Sequence, residues 1–186
     1  MPWGPVRRIR RRVESHGFER SLKTAYAARM MVRTCWTVPH PPEVLWPALC
    51  DSRMELRPRC PVFCLGVPRP TACRLPDGPG AVGARRQCAS EQGVVRQRIT
   101  RWEPPARLAF RMESTDIGFH RFVDELGDEF ELTAAGSGTR VTRMTTVTVR
   151  GRRYAALYPA LWLGLKAVHR FVFRNWQRRA AAPPAG

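Results

Sequence analysis

Histidines and carboxylates are the side chains best suited to proton transfer, and here they form no recognisable catalytic motif. The four histidines are His16, His40, His120 and His169. His169 falls on the inner face of a predicted helix and His120 on a predicted loop, so each is a candidate polar anchor or acid/base group. A purely structural histidine is the alternative at both positions. Glu113 and Asp116 flank the same loop without the pairing that acid/base catalysis would need. No catalytic residue is therefore assigned from the sequence.

The cysteines have no spacing that identifies a metal site. They are Cys35, Cys50, Cys60, Cys64, Cys73 and Cys88. Cys60, Cys64 and Cys73 lie near one another, but the chain has no CxxC pair and no histidine at the spacing of a zinc finger. We expect no metal and no cofactor, and we expect the cysteines to be buried thiols that act as small apolar side chains. No secretory leader is evident, so we expect a cytoplasmic protein without a disulfide framework.

The net charge of +17 is high for a chain of 186 residues. Only Lys23 and Lys166 are lysines, and the other basic residues are arginines. This bias, together with many alanines and prolines, is typical of a GC-rich bacterial genome, although so high a charge also favours salt-sensitive contact with polyanions. Several arginines form a basic strip on adjacent predicted strands, which is either a solvated face or an anion site: Arg85, Arg86, Arg96, Arg98 and Arg101.

Composition divides the chain into three parts. Residues 1–31 form a basic arm that is nearly free of acidic side chains, 32–179 form one domain, and 180–186 form a disordered tail. The arm is either a weakly ordered segment or a contact for a polyanion or an anionic membrane. The longest apolar stretch, 155–173, includes Pro159, Lys166 and Arg170, which are costly in a hydrocarbon layer. We therefore predict no membrane-spanning segment.

The region from Gly80 to Met112 predicts three strands joined by two tight connections. The strands are 81–89, 94–102 and 107–112, and the breaks fall at Gly93 and at Pro104-Pro105, where glycine and proline favour turns. Short connections between consecutive strands indicate an antiparallel meander and exclude a βαβ nucleotide-binding core here.

The remaining elements follow from local signals along the chain. Strands are predicted at 32–38, 71–75, 124–133 and 139–149, and Pro41-Pro42 with Glu43 predicts a helix start. A long helix over 153–178 is predicted from apolar residues that recur every three or four positions. The order is therefore a strand, short helices, several antiparallel strands and a long helix, which is an α+β pattern.

The same segments resemble a known superfamily. They include "GxxRxC" (Gly83–Cys88), "VxxRITxW" (Val95–Trp102), "PPxxLAF" (Pro104–Phe110), "GSGTRVT" (Gly136–Thr142) and "VPHPPEVLW" (Val38–Trp46). In this order they resemble the polyketide cyclase/dehydrase-like branch of the START/Bet v 1-like (SRPBCC) superfamily over roughly residues 34–178. The resemblance implies a helix-grip fold, in which a curved antiparallel sheet wraps around a long C-terminal helix. Two short helices follow the first strand, and a cavity lies between the sheet and the long helix.

The implied cavity gives a set of candidate ligand-pocket residues. They lie on one face of each predicted strand and of the long helix: Leu108, Phe110, Met112, Phe130, Leu132, Met144, Thr146, Leu161, Leu165, Val168 and His169. Filled core is the alternative for each of them. A shift of one residue in strand register would turn a whole strand's set to the other face.

Three functions are compatible with these observations. The first is binding or carriage of a small hydrophobic molecule, such as a lipid or a polyketide-like compound. The second is a polyketide cyclase, aromatase or dehydratase, in which the cavity would fold its substrate. The third is a polyanion- or membrane-surface-binding module that uses the basic arm and the last helix. We rank them in this order, and the oligomeric state is left open.

Overall fold

The structure is a computed structural model of the chain. It describes residues 29–56, 61–76 and 78–181, and the side chains of 179–181 are not described. Most of the predicted basic arm, Cys60 and the end of the predicted tail lie outside the described residues. None of the helices in the described ranges is long and apolar enough to cross a membrane.

Within the described ranges, eight antiparallel strands form one curved sheet in the order β1-β8-β7-β6-β5-β4-β3-β2. Their bounds are β1 Arg29–Val38, β2 Ser52–Arg53, β3 Pro70–Arg74, β4 Arg85–Ser90, β5 Gly93–Glu103, β6 Arg107–Thr115, β7 Val123–Ala135 and β8 Gly138–Val149. The predicted meander is confirmed as β4, β5 and β6. β1 begins three residues earlier than predicted, inside the segment assigned to the arm, because it pairs with β8 from Arg29 onward.

Two glycines are required where backbone segments approach closely. Gly93 closes the β4–β5 turn at φ +141°, a conformation that other residues rarely adopt. A Cβ at Gly138 would collide with the carbonyl oxygen of Val38. Gly138 therefore allows the start of β8 to lie against the end of β1.

Two α-helices lie among the described residues. Helix α1 is Pro42–Cys50, with a proline in its first turn and Glu43 placed where the helix dipole favours an acid. The second short helix is a single 3-10 turn at Pro61–Phe63. Helix α2 is Tyr158–Ala181, and a 3-10 helix at Arg152–Leu157 leads into it. Pro159 accounts for this start, because proline has no amide hydrogen and is tolerated in the first turn of an α-helix.

The sheet packs on the C-terminal half of α2 through aromatic side chains. Phe173 is fully buried, and its ring lies 6.1 Å from Trp36 and 5.6 Å from Trp176. The Trp176 indole N–H donates to Ser52 Oγ at 2.9 Å. The Asn175 side chain accepts a hydrogen bond from the Glu55 amide at 2.9 Å. These contacts fix the short edge strand β2 to the helix and form the filled part of the interior.

Cys73 and Cys88 stand opposite each other on β3 and β4 and form a disulfide. The expectation that every cysteine is a free thiol is therefore wrong for this pair. Strand pairing brings together two cysteines that are fifteen residues apart in the sequence. Cys50 is a buried thiol, as expected, and burial raises its pKa to about 11. Cys35 and Cys64 are exposed, so the expectation of burial is wrong for these two thiols.

We expect Phe173→Ala to destabilise the fold by about 3–5 kcal/mol, because it removes a fully buried ring at the contact between sheet and helix. Urea unfolding measures the change. Leu163→Ala is the matched control, since Leu163 is 53% exposed on the same helix and should change stability by no more than about 0.5 kcal/mol. Equal effects of the two changes would contradict this description of the core.

Candidate functional site

A cavity of about 530 Å³ lies between the inner face of the sheet and α2, mainly along the N-terminal half of the helix and reaching Val172 and Trp176. Most of its wall is apolar. Leu161, Leu165 and Val168 line it from the helix, and Val123 and Leu126 line it from β7. The segment Leu65–Pro68 approaches α2 at Gly164, where a Cβ would stand 3.1 Å from Val67 Cγ2. The missing side chain at Gly164 therefore lets this loop lie against the helix at the cavity wall.

The candidate pocket residues occupy several different environments. Five of them line the cavity: Phe110, Phe130, Leu161, Leu165 and Val168. Leu108 and Leu132 are fully packed in the main core, and Met112 packs against a smaller apolar cluster around Val123. Met144 and Thr146 lie on the outer face of the sheet, because Arg143 and Thr145 are the β8 residues that point inward. His169 is fully buried beside the cavity but is not part of its wall.

Among the polar residues that line the cavity, four with long or charged side chains cross the inner face of the sheet: Arg86, Gln97, Asp128 and Arg143. All four are buried. Arg86 stands opposite Gln97 on β4 and β5, and Asp128 stands opposite Thr145 on β7 and β8. We call these four residues the polar row. Phe110 of β6 lies between its two halves, opposite Asp128.

Arg143 and Asp128 form a two-point ion pair at one end of the polar row. Arg143 Nε donates to Asp128 Oδ1 at 2.9 Å, and its Nη2 donates to Oδ2 at 3.1 Å. The Thr145 hydroxyl also donates to Asp128 Oδ1. This geometry matches the planar guanidinium to the carboxylate and satisfies both carboxylate oxygens. Asp128 is therefore an anion that the protein itself neutralises.

A chain of hydrogen bonds runs from the helix surface to Asp128 through His169. His169 Nε2 lies 2.7 Å from Thr145 Oγ1, and Nδ1 lies 2.9 Å from Thr34 Oγ1. Because Thr145 gives its only hydrogen to Asp128, His169 Nε2 must be the donor in the next bond. Thr34 then donates to Nδ1 and accepts from Lys166 Nζ at 3.2 Å. Burial keeps the imidazole neutral, so every bond points toward the carboxylate and His169 carries its hydrogen on Nε2.

Burial and charge explain the ionisation of this network. Burial lowers the pKa of His169 to about 2, and the Arg143 guanidinium acts in the same direction. Burial alone would raise the pKa of Asp128, but the charge and hydrogen bonds of Arg143 outweigh it and hold that pKa below its ordinary value. At neutral pH the network therefore contains a charged ion pair and an uncharged imidazole.

Arg86 forms the other end of the polar row and has weaker partners. Its Nη1 donates to Gln97 Oε1 at 2.7 Å, and its guanidinium lies 4.2 Å from the centre of the Phe110 ring. Its Nε is buried without a hydrogen-bond partner. Burial lowers the pKa of Arg86 to about 10, which leaves the group charged at neutral pH. Among the ion pairs formed by described residues, none includes Arg86.

The other candidate residues have local structural contacts. His120 Nδ1 lies 2.9 Å from the carbonyl oxygen of Ile117, and His120 is not part of the cavity wall. Asp116 accepts a hydrogen bond from the Val94 amide at 2.6 Å, which lowers the pKa of Asp116. Glu113 pairs with Arg98. None of these three side chains reaches the cavity.

The basic strip divides between the two faces of the sheet. On the outer face, Arg96 pairs with Asp116 at 3.5 Å and Arg101 with Glu129 at 3.1 Å. Arg86 points to the inside instead, because alternation along β4 separates it from Arg85. The reading as a solvated face therefore applies to the exposed members of the strip, whereas Arg86 is buried. The reading as an anion site stays a prediction. No group of three or more potential metal ligands occurs in the described part of the chain.

Comparisons with solved structures identify the fold. No family model matches the chain, and no curated protein matches it. The protein TTHA0849 from Thermus thermophilus is 14% identical with a TM-score of 0.59, over 84% of this chain and 100% of that one. The Zhui aromatase/cyclase from Streptomyces sp. R1128 is 14% identical with a TM-score of 0.57, over 86% of this chain and 100% of that one.

A START superfamily protein from Mycobacterium smegmatis is also similar, at 12% identity and a TM-score of 0.55, over 81% of this chain and 96% of that one. These likenesses confirm the predicted helix-grip fold. They also confirm the resemblance to START/Bet v 1-like proteins at the level of the fold. At such identities the likeness extends to the fold alone.

The polar row was missed because the pocket was predicted from apolar residues only. The sequence did contain a signal for Asp128. It lies two residues before Phe130 and four before Leu132, so strand alternation places all three on the inner face. Arg143 gave no such signal, because the assumed register of β8 turned it outward. Arg86 was noticed only as a member of the basic strip.

We expect Asp128→Asn to destabilise the protein by about 3–5 kcal/mol, because it leaves the buried Arg143 guanidinium without its counter-charge. Asp124→Asn is the control, since Asp124 is exposed and 3.7 Å from Arg150, and it should cost less than about 1 kcal/mol. Urea unfolding at neutral pH measures both changes. A loss below about 1 kcal/mol for Asp128→Asn would contradict the assigned ion pair.

We expect His169 to make the protein less stable in acid. Below pH 6.5 the unfolded chain takes up a proton at His169, and the folded chain does not until about pH 2. The free energy of unfolding should therefore fall as the pH falls, by about 1.4 kcal/mol per pH unit from this residue. His169→Gln should remove that part of the slope between about pH 6 and about pH 4, a range that lies between the pKa values of His169 in the unfolded and folded chains.

Nitrogen NMR of the His169 imidazole in the wild-type protein gives an independent measurement at about pH 5, within the same pH range. We expect a neutral ring with its hydrogen on Nε2. A protonated ring at that pH, or equal acid slopes in wild type and His169→Gln, would show that the assigned hydrogen-bond chain is wrong.

Proposed function

We propose that this protein binds and carries a small hydrophobic molecule in the cavity between the sheet and α2. The observation that carries the proposal is the cavity itself, which has a volume of about 530 Å³, a mainly apolar wall and a short row of polar groups. Ligand sites of small molecules have this combination, with apolar surface for affinity and a few polar groups for orientation. A lipid or a polyketide-like compound has the required chemistry.

A second candidate function is a cyclase, aromatase or dehydratase, which the likeness to the Zhui aromatase/cyclase favours. The ionisation of the cavity wall argues for binding instead. Its titratable groups in the described residues are Arg86, Arg143 and Asp128. The pKa of Arg86 is about 10 and that of Asp128 lies below its ordinary value, so both groups are charged at neutral pH. His169 is neutral and lies behind the wall. A general acid or base should have a pKa near the working pH, and Arg86, Asp128 and His169 do not meet that condition.

The remaining expectations stay predictions. Contact with a polyanion or an anionic membrane rests on the basic arm, most of which lies outside the described residues. The cytoplasmic location and the bacterial origin rest on the sequence alone.

We expect the protein to bind the neutral fluorescent probe N-phenyl-1-naphthylamine, and we expect Val168→Trp to weaken that binding at least about tenfold. Val168 lines the cavity from the helix, so an indole at this position would occupy the space of the probe. Fluorescence titration measures the affinity. Leu163→Trp is the matched control, because Leu163 is exposed on the same helix and is not part of the cavity wall.

Circular dichroism of each variant should show that it is folded. Failure of the folded wild-type protein to bind any of a panel of neutral apolar compounds would overturn the proposed function. Equal binding by the two tryptophan variants would place the probe outside the cavity.

A further inference from the structure

The charged groups of the cavity wall do not balance. Within the described residues the wall contains two guanidinium groups, on Arg86 and Arg143, and one carboxylate, on Asp128. Arg143 holds both oxygens of that carboxylate, and Thr145 donates to one of them as well. These bonds commit the carboxylate to Arg143 and Thr145, so Asp128 acts on Arg86 only through its charge, and the wall carries one net positive charge.

That charge is on Arg86, and the protein compensates it only in part. Gln97 offers a neutral acceptor, and the face of the Phe110 ring offers a weak electrostatic attraction. Nε has no partner, although the side chain is only 4% exposed. A buried cation is normally paired with an anion or strongly hydrogen-bonded, because removing it from water is costly. The Arg86 guanidinium therefore suits a partner with a single negative charge.

We propose that the ligand is an amphiphilic carboxylic acid whose carboxylate pairs with Arg86 and whose apolar body lies along the N-terminal half of α2. This inference rests on the proposed binding function and names its ligand class. A carboxylate carries one charge, which matches the single uncompensated guanidinium. It is also planar, so it fits the hydrogen-bonding fork of arginine. A phosphate monoester would carry an excess negative charge into the same chamber.

The shape of the cavity supports an elongated apolar body. Along α2 the cavity wall extends from Trp176 and Val172 to Leu165 and Leu161. The helix rises about 1.5 Å per residue, so Leu161 lies roughly 22 Å along the axis from Trp176. Phe119 and Phe122 line the same apolar part. A hydrocarbon chain or a fused-ring body would bury its apolar surface there while its head reaches Arg86.

The test compares dodecanoic acid with dodecan-1-ol, which differ at the head and share nearly the same chain. Displacement of N-phenyl-1-naphthylamine at neutral pH measures both affinities on the full-length protein. We expect the acid to bind at least about tenfold more tightly than the alcohol. We expect Arg86→Met to abolish this preference. Arg85→Met is the matched control, since Arg85 is the next residue and is exposed on the outer face, and it should keep the preference.

The outcomes separate this inference from the proposed function. If the neutral probe binds and the wild-type protein shows no preference for the acid, the carboxylate assignment is overturned and the binding function stands. If neither the probe nor either lipid binds, both are overturned. A preference that survives Arg86→Met, or that disappears in Arg85→Met, would overturn the role of Arg86. The wild-type comparison decides the ligand class even if Arg86→Met does not fold.

Discussion

The ion pair between Arg143 and Asp128 allows charged residues to exist inside this fold. It joins β8 to β7 through hydrogen bonds of 2.9 and 3.1 Å from the guanidinium nitrogens of Arg143 to the carboxylate oxygens of Asp128. Thr145 and His169 connect this pair to the helix. A carboxylate in such a site needs a counter-charge and hydrogen bonds to stay ionised. Neighbouring strands supply both at a fixed register. The ionisation of the cavity wall therefore depends on how the sheet and the helix are packed.

The interior is filled at one end of α2 and open at the other because of the side chains that the helix presents. Its C-terminal half presents Phe173 and Trp176, whose rings pack against the sheet. Its N-terminal half presents Leu161 and Leu165 to the cavity. The same fold thus has a filled half and an open half.

The strand and helix order could be predicted because turns and alternation are local signals, and Gly93 and Pro104-Pro105 mark the meander directly. Side-chain placement was harder, because it depends on register. The pattern of β8 alternates threonine with arginine, methionine and valine, so neither face is clearly apolar, and Met144 was placed inside in preference to Arg143. The Cys73–Cys88 disulfide was also missed, since it depends on which strands pair.

The two arginines of the polar row have different roles: the charge of Arg143 stabilises the fold, and the charge of Arg86 can act on a ligand. Arg143 has its carboxylate within the chain, so its charge contributes to the fold and is withdrawn from any ligand. Arg86 has an amide and an aromatic face instead, so its charge stays available to the cavity. An anionic ligand would gain more at Arg86 than at an exposed arginine, because electrostatic attraction is stronger where water is excluded. The affinity of this site would then come mainly from pairing the buried Arg86 guanidinium with an anion. Its specificity would come from the fit of the ligand's apolar body to the cavity wall.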